Sequence, residues 1–436
     1  MVDEPLNRRD FGRLLGLAGL GAAAGPALLA GCGTASGTAT RAGAAAARTW
    51  KVTGTAGAGL GGFDTAVKKL MQDRGIPCGS LAVMRKGRLL HARGYTWSDD
   101  TSFTTQPTSL FRLASLSKAV TAAAVTRLVQ DGRLSLSASV TSLLTLTPPP
   151  GQTLDPRLPQ VTVRRLLQHL GGWDRDISGD PTYRDRQIAA QLGVPLPITR
   201  AHLVRHGAGL RLEHDPGSAF AYSNHGYLLL GEIVAKVSGM SYADYVQRNV
   251  FAPAGVTRAR PGRSLKSGRA PGEVPYFSQE TGRSVFDAAG TTVPGPYGTF
   301  NAENRIATGT WLASAVDYVR FTRIFDATTS VLTASSVAAV FAKPETGLNS
   351  GGSYYGFGWH VRDVAGGRNT WHSGSLPGTS TIVTRRYDGV TWALLFDQRD
   401  DPSAFTYTYD DFSAPLHKVA NGIGTWPATD LWSRYL

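Results

Sequence analysis

Cysteine is nearly absent from this chain of 436 residues, which has only Cys32 and Cys78. Cys32 ends an N-terminal apolar run, so Cys78 is left without a partner inside a folded domain and a disulfide framework is excluded. Cys78 precedes an apolar stretch and reads as a small core residue. Metal-ligand spacings are missing too, with no His-Glu-x-x-His and no Cys-x-x-Cys. His202 and His206 stand at i, i+4 but read as surface residues of a helix before Gly207. No metal and no cofactor are therefore expected. Beyond residue 30 no stretch approaches the roughly 20 apolar residues that a membrane span needs. There is no internal repeat, no Gly-x-Ser-x-Gly nucleophile elbow, and no nucleic-acid module or arginine-rich tract. Acidic residues are outnumbered, 32 against 45 Lys and Arg, giving a formal net charge of +13. Arg8, Arg9 and Arg13 offset Asp3, Glu4 and Asp10, so the excess belongs to the rest of the chain. A basic surface suits an anionic membrane or cell-wall polymer, and no nucleic-acid partner is expected.

The N-terminus reads as an address. Arg8-Arg9-Asp10-Phe11 precedes a mildly apolar, Gly- and Ala-diluted run from Leu14 to Ala30, the pattern of a twin-arginine export signal. It ends in Leu29-Ala30-Gly31-Cys32, which resembles the lipobox of bacterial lipoproteins. Cys32 would then be lipidated and hold the protein on the outer face of the cell membrane, with residues 1–32 as the signal. The alternative is an ordinary cleaved signal or an N-terminal anchor. Residues 33–62 are mostly Gly, Ala, Thr and Ser and read as a flexible linker with a reach of roughly 30 Å. The folded domain is expected from Phe63 to residue 436.

Chemistry is concentrated in three short motifs, in this order: Ser115-Leu116-Ser117-Lys118, Tyr222-Ser223-Asn224 and His372-Ser373-Gly374. A serine hydroxyl needs a neighbour to take its proton, and a lysine one helical turn away does so if it is kept neutral. The spacing i, i+3 puts Ser115 and Lys118 on one helix face. The run Ala119 to Val129, ending before Gly132, reads as a buried helix with Ser115 in its first turn. Backbone N–H groups at that helix start would stabilise an anion on an attacked carbonyl.

Together these motifs resemble the serine β-lactamase-like hydrolases, a family that includes class C β-lactamases, D,D-carboxypeptidases, D-aminopeptidases and related esterases. Supporting stretches are Ser109 to Ala114, Leu166 to Gly172 with His169, Tyr227 to Gly231, Tyr355 to Trp359, and Gly374 to Gly378. The resemblance implies Ser115 as acylated nucleophile, Lys118 as its proton acceptor and Tyr222 as second member of the base system. It leaves open which of the two is the working base. Asn224 would donate to the substrate amide carbonyl, and His372, Ser373 and Gly374 would line the substrate. The N–H groups of Ser115 and Ser375 would form the oxyanion hole. His372 stands where many β-lactamases have Lys, so a fixed cation facing a substrate carboxylate becomes one charged part of the time near neutral pH. That favours a peptidase or esterase over a β-lactamase. His169 reads as structural.

Coarse patterning predicts a helix over 63–73, a hairpin over 81–95 turning near Lys86-Gly87, and a helical region over about 134–265. An irregular stretch follows to Gly309, then a helix over 311–325. Strands are expected at 355–362, 369–372, 379–386 and 390–397, with a last helix over 412–422. The expected fold is α+β: an antiparallel sheet from both chain ends flanked by helices, an all-α lobe, and a cleft between them, which is the β-lactamase/transpeptidase-like fold of the family. The expected function is an exported serine hydrolase with an acyl-enzyme on Ser115, a D,D-carboxypeptidase-like peptidase or esterase acting on cell-envelope peptides or small acyl substrates. Alternatives are a β-lactamase, a transacylase or peptide cyclase, and a non-turnover sensor of penicillin or peptidoglycan. The expected partner is a small-molecule or peptide substrate.

Overall fold

The computed structural model describes residues 48–100, 102–326, 331–398 and 409–435. The export segment, Cys32 and the linker up to residue 47 lie outside the described residues.

Alternating apolar residues at both ends of the chain build one sheet. Strands Thr49–Thr55 (β1), Cys78–Arg85 (β2) and Arg88–Ser98 (β3) come from the N-terminal side. Tyr354–Tyr355 (β4), His360–Val364 (β5), Gly367–Leu376 (β6), Thr379–Arg385 (β7) and Val390–Phe396 (β8) come from the C-terminal side. The spatial order is β1-β3-β2-β8-β7-β6-β5-β4, with every pair antiparallel. Successive side chains of β2 and β8 enter different clusters: Leu81, Val83, Trp392 and Leu394 go to one face, Ala82, Met84, Ala393 and Leu395 to the other. Both faces are covered, which is why these strands read as continuous apolar runs.

One face is covered by helix Gly61–Arg74 (α1), through Phe63, Val67 and Met71, and by a C-terminal helix at Tyr409–Asn421. The other carries Ser117–Gln130 (α2), whose Ala119, Val120, Ala122, Ala123, Ala124 and Val125 are all fully buried. A helix that is small and apolar all round belongs at the centre of the molecule. Helix Asn224–Ser238 (α3) and shorter helices at Val163–Leu167, Asp185–Leu192, Arg200–Ala208 and Tyr242–Val246 form the helical lobe beside it. Among the described residues, no helix is long and apolar enough to cross a membrane.

Three expectations need correction. Residues 49–55 are not linker: β1 pairs with β3 from Thr49 opposite Ser98 to Thr55 opposite Ala92, and Trp50 stacks on Trp97 with centroids 5.8 Å apart. The Thr-Trp-Lys-Val-Thr alternation is a strand pattern, hidden by its small-residue surroundings. Trp311–Ala313 is a strand paired with Phe111–Arg112, and the helix begins only at Ala315, where the Ser314 hydroxyl accepts the Asp317 N–H at 3.0 Å. The single strand expected over 355–362 is broken at Gly356–Gly358. Gly358 has φ +75°, and a Cβ there would meet the Lys118 carbonyl oxygen at 2.8 Å. The break lets this segment pass close to α2.

A chain beginning at Gly57 lacks β1 and the Trp50 stack, worth about 2 kcal/mol of apolar burial. It is expected to unfold at a lower temperature than one beginning at Arg48. Equal midpoints would return residues 49–55 to the linker.

Candidate active site

The turn Ala114–Leu116 leads into α2 and carries Ser115. Ala114 sits at φ +48°, a left-handed conformation that costs a residue with a Cβ about 1–2 kcal/mol. The surroundings hold it there. Leu113 N–H donates to the Trp311 carbonyl at 2.8 Å, Thr381 Oγ1 donates to the Leu113 carbonyl at 2.8 Å, and Tyr318 Oη donates to the Leu116 carbonyl at 2.8 Å. β7 and the Trp311 strand thus grip the turn from two sides.

Lys118 has no solvent exposure. Its Nζ lies 3.1 Å from Ser115 Oγ and 2.8 Å from the Thr308 carbonyl oxygen. Burial drives its pKa well below the ordinary lysine value, and the Arg175 charge pushes the same way against Asp180. A neutral amine that gives one N–H to Thr308 keeps its lone pair for the Ser115 hydroxyl. The Thr308 carbonyl is itself placed by a buried ion pair. Arg305 and Asp185 are 0% and 2% exposed and bonded to each other, and the Arg305 carbonyl accepts the Thr308 N–H at 3.0 Å.

Tyr222 immediately precedes Ser223, whose hydroxyl caps α3 by accepting the Gly226 N–H at 3.1 Å. Its ring centroid lies 4.8 Å from Lys118 Nζ. Burial raises the phenol pKa well above the usual value, while the Arg175 charge and a hydrogen bond with Ser115 pull it down. Burial thus favours the neutral form of both groups, lowering the amine and raising the phenol. Ser115, Lys118 and Tyr222 come together as the sequence predicts.

The third motif is placed differently from expectation. His372 is 2% exposed, and both ring nitrogens are occupied. Nδ1 donates to the Ser373 carbonyl at 2.6 Å, and Nε2 accepts from Tyr355 Oη at 2.9 Å. Burial and the nearby His360 and Lys118 lower its pKa well below the usual histidine range. It is a neutral hydrogen-bonding group and does not supply the part-time cation for a carboxylate that the sequence suggested. Gly374 leaves no room for a side chain. A Cβ there would meet Thr381 Oγ1 at 2.4 Å, Ala114 Cβ at 2.8 Å and the Leu113 oxygen at 2.8 Å, so it is the seat of the Ser115 turn on β6. β5 pairs with β6 only over Gly367 to Trp371, so Ser373 and Ser375 lie, half-buried, beyond the end of that pairing.

Asn224 is at the first position of α3, and its amide nitrogen donates to Asp180 Oδ2. In this arrangement that bond orients the amide, a partner the sequence did not indicate. His206 is buried, not a surface residue, with Nδ1 2.6 Å from Gln191 Oε1, and His202 Nδ1 accepts the Thr199 N–H at 3.3 Å. Among the described residues no group of three or more His, Cys, Asp or Glu could hold a metal ion. Cys78 is buried, and its thiol pKa is raised well above the usual value by burial, which makes it unreactive.

Besides Asp180 and Thr308, sequence reasoning gives no role at the site to two further groups: it does not single out Arg175, and it reads His169 as structural. Arg175 lies on a four-residue helix, Arg175–Ser178, with its guanidinium carbon 4.5 Å from the Tyr222 ring centroid. His169 packs directly against Tyr222, with ring centroids 4.2 Å apart. The Leu-Leu-Gln-His-Leu-Gly-Gly landmark pointed to the second. Nothing in Trp-Asp-Arg-Asp pointed to the first.

For the acyl-transfer chemistry expected from the sequence, the lysine must be unprotonated. Turnover should rise with pH through the lowered Lys118 pKa and level off well below the pH at which an ordinary lysine titrates. Lys118→Met should lose about 10²–10⁴-fold in rate together with this limb. A Lys118→Met pH profile that keeps the limb would remove the lysine from the base role.

Comparison with known proteins gives the family and the fold. The beta-lactamase family model matches residues 63–413. Penicillin-binding protein 4* of Bacillus subtilis is 29% identical over 382 residues, covering 82% of this chain and 78% of that protein. Protein flp of Staphylococcus aureus is 27% identical over 234 residues, 53% of this chain and 41% of its own length, so the chain spans about two fifths of the relatives of that name. Among solved structures, the octameric penicillin-binding protein homologue of Pyrococcus abyssi has a TM-score of 0.60 at 23% identity, covering 83% of this chain and 77% of that one. D-amino acid amidase of Ochrobactrum anthropi has a TM-score of 0.61 at 22% identity, covering 82% and 98%. These likenesses show the β-lactamase/transpeptidase-like fold, and the chain belongs to the beta-lactamase family of serine hydrolases.

Proposed function

We propose that the protein cleaves small esters and amides with a neutral acyl portion through an acyl-enzyme on Ser115. The observation that carries this reading is the fully buried Lys118 amine 3.1 Å from the Ser115 hydroxyl. Ser115 Oγ attacks the carbonyl carbon as its proton passes to Lys118 Nζ. The oxyanion is received by the N–H groups of Ser115 and Ser375. The protonated Tyr222 phenol relays a proton to the leaving oxygen or nitrogen and is restored from Lys118. Water then repeats the sequence on the acyl-enzyme. The lowered lysine and raised tyrosine favour Lys118 as the working base.

Substrate class follows from His372. A neutral imidazole bonded to Tyr355 offers a carboxylate no counter-charge, which supports esterase or amidase activity ahead of a β-lactamase. Beside the site, Phe220, Pro344, Leu348, Tyr354, Tyr355 and His360 border a hollow of about 190 Å³. It is smaller than the roughly 300 Å³ of a whole drug-sized site and suits one apolar group. A second reading, a D,D-carboxypeptidase-like peptidase, draws support from Arg175, whose guanidinium beside Tyr222 could receive a C-terminal carboxylate.

Steady-state rates on p-nitrophenyl butyrate, a D-Ala-D-Ala-terminated peptide and a penicillin separate these readings. The ester should be turned over fastest, and Arg175→Met should move its pH limb upward, because a charge that lowers the Lys118 pKa is gone, while leaving the plateau rate nearly unchanged. Preference for the peptide, with a tenfold to hundredfold loss in Arg175→Met as for about 1.5–3 kcal/mol of charged hydrogen bonding, would favour the peptidase. Rapid penicillin turnover would restore the β-lactamase, and a stable penicillin adduct without turnover the sensor. Product formed only when an amine acceptor is added would indicate a transacylase.

Export and lipid attachment at Cys32 are part of the same proposal, supported by the twin-arginine and lipobox patterns. Cells fed an alkyne-tagged palmitate should label the protein, and Cys32→Ala should abolish the label. Undiminished labelling of Cys32→Ala would rule out this anchor.

A further inference from the structure

His169 occupies an unusual place. It follows helix Val163–Leu167, where Leu170 N–H donates to the Arg165 carbonyl at 2.7 Å and His169 N–H to the Leu166 carbonyl at 3.3 Å. This is the helix-ending turn that favours glycine in the left-handed conformation. The chain places a histidine there at φ +58°. A side chain there carries a conformational cost that the surroundings must hold in place.

That one residue grips the peptide on both sides of Tyr222. The Ala221 N–H donates to the His169 carbonyl at 2.9 Å, and the Ser223 N–H donates to His169 Nδ1 at 3.1 Å. The acceptor role of Nδ1 puts the ring proton on Nε2 in the neutral form. Between these bonds the imidazole lies against the Tyr222 ring, centroids 4.2 Å apart and planes tilted by 35°. Tyr355 and Tyr227 back it at 4.6 and 4.9 Å. Main chain and ring of Tyr222 are thus set by a single residue that is 1% exposed.

We infer that His169 is a positioning residue for Tyr222, holding the N–H groups of the residues before and after it and supporting its ring so that the phenol meets Ser115. The inference rests on the reading of Ser115, Lys118 and Tyr222 as the reacting groups. His169 makes its hydrogen bonds to the main chain beside Tyr222 and acts on the site through that residue.

Two variants of the full chain separate the clamp from packing. Leucine fills much of the imidazole space but accepts no hydrogen bond. Asparagine loses the ring but offers Oδ1 near the place of Nδ1 and tolerates a positive φ. A packing role ranks His169→Leu above His169→Asn, whereas the clamp ranks them the other way. Assayed well below both unfolding midpoints, His169→Leu should lose roughly 10- to 100-fold in kcat, as expected when a reacting group is displaced by about 1 Å, with KM little changed. His169→Asn should recover most of that loss. Equal kcat in His169→Leu and the parent, or a larger loss in His169→Asn, would overturn the inference, as would a change in KM alone. Ser115→Ala and Tyr222→Phe are assayed alongside. Full activity in either would refute the underlying assignment of reacting groups, a result independent of the order of the His169 pair.

Discussion

The structure depends on keeping one amine out of water. An ordinary lysine at the surface is charged and useless as a base near neutral pH. Lys118 escapes this because it starts a helix that runs through the centre of the molecule, with small apolar residues on every side. Desolvation of a charged ammonium is far costlier than that of a neutral amine, so burial selects the form with a lone pair. The nearby Arg175 adds to this, and the Tyr222 and Tyr227 rings, which attract a cation, are too weak to reverse it.

The architecture around Lys118 serves this requirement. The sheet is apolar on both faces, so α2 can lie against it without exposing its own far side, which the helical lobe then covers. Glycines admit the closest approaches: Gly358 passes the Lys118 carbonyl, and Gly374 receives the nucleophile turn. The amine still needs one polar partner. The Thr308 carbonyl provides it from a loop anchored by the Arg305–Asp185 pair. A buried ion pair is weak evidence for stability, but here it fixes the position of an atom in the site.

Legibility in the sequence followed the range of each interaction. The Ser115–Lys118 pair was readable because helix geometry is local. The strands of the C-terminal half were readable because alternation is local, although Gly356–Gly358 split one of them for a tertiary reason, the nearness of α2. β1 was lost because seven ordinary strand residues sit beside a Gly- and Ala-rich stretch. His372 shows the harder limit. Its type suggested a titrating cation, but its pKa is lowered by burial and by the nearby His360 and Lys118, and none of these is written in His-Ser-Gly. Arg175, Asp180 and Thr308 reach the site across long sequence separations, Thr308 through its backbone alone. No residue-type pattern announces such groups.

The central claim is that Ser115 becomes covalently acylated because Lys118 is neutral. Its most direct test is peptide mapping by mass spectrometry after brief exposure at neutral pH to a fluorophosphonate that traps activated serines. The account predicts a single modified peptide containing Ser115, with labelling abolished in Lys118→Met although Ser115 is retained. Labelling at another serine, or undiminished Ser115 labelling without the lysine, would contradict it.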